Sequence, residues 1–105
     1  DVSLSSIVPQ LSSGYSLYGE NFTKYSRIYV NGEKQKSSFL NNTRINLSDT
    51  ELQDGDVIQV GQVGSSDTIF RMSDKYIYQN GQLVKQEGTA TDKNKSWVDQ
   101  EYDVK

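Results

Sequence analysis

Asn31-Gly32 follows directly on Arg27-Ile-Tyr-Val30, a stretch in which apolar and polar residues alternate. Both residues of the pair accept the positive φ of a type I′ turn, whose twist matches that of two paired strands. The chain is therefore expected to double back through Glu33 to Phe39, with Ile28 and Val30 inward and Arg27 and Tyr29 outward. Just upstream, Tyr15-Ser-Leu-Tyr-Gly19 repeats the period of two, placing Tyr15, Leu17 and Gly19 on one face and Ser16 and Tyr18 on the other. Between the two strands, Glu20 to Lys24 carries one large apolar residue, Phe22, expected to fold back as a plug on the end of the core. The stretch Leu17 to Gly32 thus commits the chain to antiparallel sheet.

The remaining segments read the same way. Residues 1–9 alternate and close on Pro9, which suits an edge strand because proline cannot donate to a ladder. Ile45 and Leu47 share a face of the run 43–47, and the Asp54-Gly55 turn leads into 57–63, where Ile58 and Val60 are expected to face the core. Gly61 and Gly64 mark a bulge or a close backbone approach. Residues 68–72 continue extended, Ser73-Asp74 interrupts, and Lys75-Tyr-Ile-Tyr78 ends the pattern with Ile77 between the two tyrosines. No stretch of ten residues has helical periodicity, so the expectation is an all-β antiparallel sandwich of seven to eight short strands. Its domain would span 1–79, with 80–87 able to add a last hairpin and 88–105, including Trp97, forming a polar tail or linker. Ile28-Tyr-Val-Asn-Gly32 and Ile77-Tyr-Gln-Asn-Gly81 echo each other, and one hairpin solution used twice accounts for that.

Composition narrows the chemistry. With 105 residues, 33% of them hydrophobic, the chain suits one domain of short half-buried strands. No cysteine and no histidine are present, which removes zinc sites of the usual kind, Cys or Ser-His nucleophiles and a physiological-pH proton switch. A net charge of −3 with dispersed lysines and arginines offers no phosphate-tracking stripe, so no nucleic-acid partner is expected. No apolar run approaches the about 20 residues of a membrane span, and the opening DVSLSSIVPQ reads as neither signal peptide nor initiator. The chain is therefore expected to be an excised piece of a longer protein, monomeric and tied to a membrane only through its parent. The absence of cysteine fits either a reducing cytosol or a bacterial surface protein that does without disulfides, and richness in Ser, Asn, Asp, Thr and Gln favours the second, an extracellular location at a bacterial surface.

Ile7-x-Pro9, the turn at Gly14, Tyr15-Ser-Leu-Tyr-Gly-Glu-Asn-Phe-Thr23, Ile28-Tyr-Val-Asn-Gly32, Leu52-x-x-Gly55-Asp56 and Ser73 to Tyr78 together resemble the IPT/TIG group of immunoglobulin-like domains, over about residues 2–79. The Gly-Gly pair usual before the second strand is reduced here to Gly14. More narrowly, Leu52-Gln-Asp-Gly-Asp-Val-Ile-Gln-Val-Gly-Gln-Val63 followed by Lys75-Tyr-Ile-Tyr78 is similar to the small domain at the C-terminus of bacterial membrane-anchored phosphoglycerol transferases of the lipoteichoic acid synthase and sulfatase type. That resemblance implies an immunoglobulin-like β-sandwich that is not itself an enzyme, with catalytic metal, nucleophile and membrane helices upstream in the parent.

For function, Tyr29, Tyr76 and Tyr78 are the most suggestive set. If their strands share a sheet and all three rings point outward about 10 Å apart, they can bracket a sugar ring, with Gln59 on the intervening strand as hydrogen-bond partner. The plainer reading is that tyrosine simply covers sheet surface well. Asp49, Glu51, Asp54 and Asp56 crowd one turn, but without the spacing of a calcium loop, so no metal and no cofactor are expected. Nothing singles out a carboxylate pair for glycoside hydrolysis. Lys24 and Lys75 are conceivable donors for a lysine–asparagine crosslink, yet both sit in polar context. Asn21, Asn41, Asn46 and Asn94 begin Asn-x-Ser/Thr sequons, which matter only in a eukaryotic source. The expected function is a non-catalytic extracellular accessory domain that presents a neighbouring enzyme domain or touches cell-wall polymer or glycan. The alternatives are an adhesin-type module binding protein through loops such as Glu20 to Tyr25 or Gly64 to Thr68, or a passive spacer.

Overall fold

A computed structural model describes residues 2–11, 13–64 and 69–92. Among them the chain forms eleven strands: β1 (Ser3–Pro9), β2 (Tyr15–Glu20), β3 (Ser26–Val30), β4 (Glu33–Lys34), β5 (Ser37–Asn41), β6 (Arg44–Leu47), β7 (Val57–Val63), β8 (Ile69–Met72), β9 (Lys75–Gln79), β10 (Gln82–Gln86) and β11 (Thr91–Asp92). One sheet runs β1-β2-β6-β5 and the other β10-β9-β7-β3-β4, with β8 pairing β7 and β11, and every pairing is antiparallel. Four strands ordered first, second, fifth and fourth against a sheet of third, sixth and seventh are the immunoglobulin arrangement, and β1-β2-β6-β5 facing β9-β7-β3-β4 reproduces it with one extra edge strand.

The interior follows the alternation in sequence except at Tyr76, which was expected to point outward. Leu4, Ile7, Leu17, Ile45 and Leu47 from the first sheet meet Ile28, Val30, Ile58, Val60 and Tyr76 from the second, and Phe22 closes one end at 2% exposure. Gly19, opposite Leu4 in the β1–β2 pair, has no room for a side chain: a Cβ there would stand 2.0 Å from the Ser3 carbonyl oxygen and 2.8 Å from the Phe22 ring. Asn31 and Gly32, at φ of 53° and 86°, make the two-residue β3–β4 turn, and Asn80 and Gly81, at 53° and 76°, make the β9–β10 turn in the same way. The echo in sequence is therefore one hairpin used twice, once on each side of β7.

The structure corrects two expectations and bears out a third. The segment Glu33 to Phe39 is not one return strand: β4 stays in the second sheet while β5 crosses to pair β6, so the strand count exceeds seven to eight. The interruption expected at Ser73-Asp74 is present: the strand beside β7 is broken into β8 and β9, and Ser73 bridges the break, its N–H donating to the Val60 carbonyl (2.8 Å) and its hydroxyl accepting from the Val60 N–H (2.9 Å). Finally, residues 88–92 are not tail. The Asp74 carboxylate accepts from the N–H groups of Thr89 (3.0 Å) and Ala90 (2.8 Å), and this folds the chain back so that β11 pairs β8. Trp97 and the sequon at Asn94 lie outside the described residues.

Candidate functional site

The expected tyrosine platform does not form. On β7, Gln59 pairs with Tyr29, whereas its neighbour Ile58 pairs with both Val30 and Tyr76. Successive residues of a strand face opposite ways, so Tyr29 and Tyr76 lie on opposite faces of the sheet, and Tyr78 follows Tyr76 inward. Tyr76 is 2% exposed, and its hydroxyl accepts the Leu4 N–H at 3.1 Å. Tyr78 packs edge-on against Tyr15, with ring centroids 6.2 Å apart, while the Tyr15 hydroxyl accepts the Leu52 N–H at 3.1 Å. Tyr29 is the one on the outer face, yet it too is covered: its ring lies over Gly61, whose missing side chain leaves space shared with the Met72 sulfur. Gln59 is engaged as well, its Nε2 donating to the Ser73 carbonyl at 3.0 Å.

The acidic turn has a structural occupation. Asp56 accepts from the Gln53 N–H (2.9 Å) and the Asn31 side-chain amide (3.1 Å), Asp54 accepts from the Asn80 N–H (3.0 Å), and Asp49 pairs with exposed Lys36 at 3.7 Å. Asp54 and Asp56 thus hold turns and Asp49 a surface ion pair, and no metal-ligating cluster of three occurs among the described residues. Lys24 and Lys75 are both exposed, which removes the burial that a lysine–asparagine crosslink requires.

Polar side chains organised for something other than a turn occur on the outer face of the first sheet. Ser16 and Tyr18 of β2 stand beside Asn46 and Arg44 of β6, paired in register, and Gln10 reaches in from the end of β1. The Ser16 hydroxyl, 3% exposed, accepts from Gln10 Nε2 (3.2 Å) and from an Arg44 terminal nitrogen, NH2 (3.1 Å), and so donates its own hydrogen to Asn46 Oδ1 (3.0 Å). The Arg44 guanidinium carbon sits 5.5 Å from the centre of the Tyr18 ring, within cation–π range. Its Nε is enclosed without a hydrogen-bond acceptor, and among the described residues no carboxylate pairs with it. Sequence reading placed Ser16 and Tyr18 on the face opposite Leu17, but took Asn46 only as the start of a sequon and passed over Arg44. The signal was their alternation with Ile45 and Leu47; that they meet Ser16 and Tyr18 depends on a β2–β6 pairing between segments 28 residues apart.

Tyr78 yields a pH prediction. Partial burial, then the neighbouring Tyr15 phenol and the Asp54 carboxylate, hold its hydroxyl above the ordinary tyrosine value. The unfolded chain therefore loses this proton first, so the contribution of Tyr78 to stability is intact below about pH 10 and declines as pH rises through the elevated folded value. The thermal midpoint of wild type is expected to fall more steeply above pH 10 than that of Tyr78→Phe. Parallel curves would show that this phenol is not perturbed.

The chain matches no protein-family model, no curated protein and no solved structure.

Proposed function

We propose that this chain is a non-catalytic accessory domain of the IPT/TIG immunoglobulin-like kind, part of a larger bacterial cell-surface enzyme, and that it contacts cell-wall polymer through the outer face of its β1-β2-β6-β5 sheet. The observation that carries this reading is how the fold uses its polar groups. Asp49, Asp54, Asp56 and Asp74 are committed to turns or to surface lysines, and Gln59 to the strand break, whereas Gln10, Ser16, Tyr18, Arg44 and Asn46 form a connected array on a sheet face. An aromatic ring flanked by amides and a guanidinium suits a sugar-based polymer, because the ring offers apolar area and the planar groups offer oriented hydrogen bonds.

Sedimentation of the 105-residue chain with purified bacterial cell walls tests it. The chain is expected in the wall pellet at low salt, and to be released by substitution of Tyr18 with Ala, which keeps the core intact. Recovery of wild type wholly in the supernatant at every ionic strength would exclude wall contact.

A further inference from the structure

We propose that Arg44 is the receptor for an oxyanion, a phosphodiester or carboxylate group borne on the polymer, with the Asn46 side-chain amide as second donor and the Tyr18 ring as the wall of the site. This rests on the proposed role of the sheet face in recognition and names the chemistry that the face selects.

A guanidinium carries five N–H donors and no acceptor, and when half-buried it is ordinarily matched by a carboxylate. Arg44 is half-buried with only one terminal nitrogen engaged, on Ser16, and its enclosed Nε has no acceptor. The neighbours do not neutralise it, because the local hydrogen-bond order makes them donors too. Ser16 receives two hydrogen bonds, so its hydrogen must go to Asn46 Oδ1, and this turns the Asn46 Nδ2 away from Ser16. Nδ2 of Asn46 and the second terminal nitrogen of Arg44 have no partner among the described residues and are not enclosed, so both reach solvent. Arg44 and Asn46 are two positions apart on one face of β6, about 7 Å along the strand, a gap that one oxyanion group spans between its oxygens and two flexible side chains.

Around Arg44 the face therefore offers two donors and one full positive charge that no carboxylate pairs with among the described residues, the exposed Glu20 lying on the same face of β2 two positions beyond Tyr18. A neutral sugar, whose hydroxyls both donate and accept, uses that set poorly; an oxyanion uses all of it. The protein as a whole is acidic, with a net charge of −3, so diffuse attraction of polyanions is weak and selectivity falls to this local arrangement.

The experiment is a titration of the isotope-labelled 105-residue chain, followed through the Arg44 Nε–H and Asn46 side-chain amide signals. The probes are dimethyl phosphate, a glycerol phosphate oligomer, an oligogalacturonate and neutral maltohexaose. Saturable shifts of both signals are expected with a phosphodiester or with the carboxylate oligomer, and whichever is stronger identifies the anion. Affinity is expected to fall about tenfold or more in Arg44→Gln and partway in Arg44→Lys, which keeps the charge without the fork. Equal shifts with maltohexaose, shifts reproduced by sodium chloride alone, or anion binding undiminished in Arg44→Gln would overturn the proposal. The wild-type shifts stand even if a variant misfolds. Walls that fail to sediment the chain while Arg44 titrates remove the wall-contact reading and leave the receptor; sedimentation without Arg44 shifts removes the receptor alone.

Discussion

Gly19→Ala is expected to lower the stability of the domain by about 3 kcal/mol or more, a large share of the roughly 5 to 15 kcal/mol on which a fold of this size rests. The reason is space and not backbone conformation. Gly19 has an ordinary strand φ, but its added methyl would stand 2.0 Å from the Ser3 carbonyl oxygen, 3.1 Å from Leu4 Cα and 2.8 Å from the Phe22 ring. The first two are backbone of the paired strand β1, which can retreat only by loosening the Leu4 and Ile7 contacts to the core. Gly32→Ala is the control. That glycine has positive φ and open space around it, so its replacement carries only the left-handed penalty of about 1 to 2 kcal/mol. Urea unfolding of both variants separates the effects, and a Gly19→Ala variant no less stable than Gly32→Ala would mean that β1 yields at little expense.

The same segment shows why much of the fold was legible. Along Gly19-Glu-Asn-Phe22, Gly19 admits β1 and the ring, Asn21 takes φ of 67°, and Phe22 fills the end of the core. Requirements of this kind are met by few residue types, so they leave a mark in the sequence. The two Asn-Gly turns and the inward Ile58 and Val60 were readable for the same reason. Residues whose placement is set by distant partners were not. Arg44 owes its surroundings to β2, and residues 88–92 are held by the Asp74 carboxylate, an acceptor that any exposed aspartate offers equally well until the fold is known. The candidate tyrosine face failed through a single-residue error of phase: Ser73-Asp74 interrupts the strand, and alternation cannot be carried across an interruption, so Tyr76 and Tyr78 turned in where Ile77 had been expected to.

Tyr76 gives that correction its sharpest consequence. Were its ring a surface platform, Tyr76→Phe and Tyr76→Ala would each alter stability by no more than about 0.5 kcal/mol, as surface changes do. In the interior the two variants should differ from wild type and from each other. The β1–β2 ladder shifts register between Leu4 and Ser6, and the Leu4 N–H turns into the sandwich to meet the Tyr76 hydroxyl at 3.1 Å, linking the two sheets across 72 residues of sequence. Phenylalanine keeps the packing but strands that buried N–H, a loss of about 1 to 3 kcal/mol. Alanine also opens a cavity among Leu4, Ile58 and Val60, raising the loss to about 3 to 5 kcal/mol. Amide hydrogen exchange adds a local readout: the Leu4 N–H should lose protection in Tyr76→Phe beyond what the global loss of stability explains. Unchanged protection there would mean that the hydroxyl is not what holds it, and that the tie between the sheets is apolar packing alone.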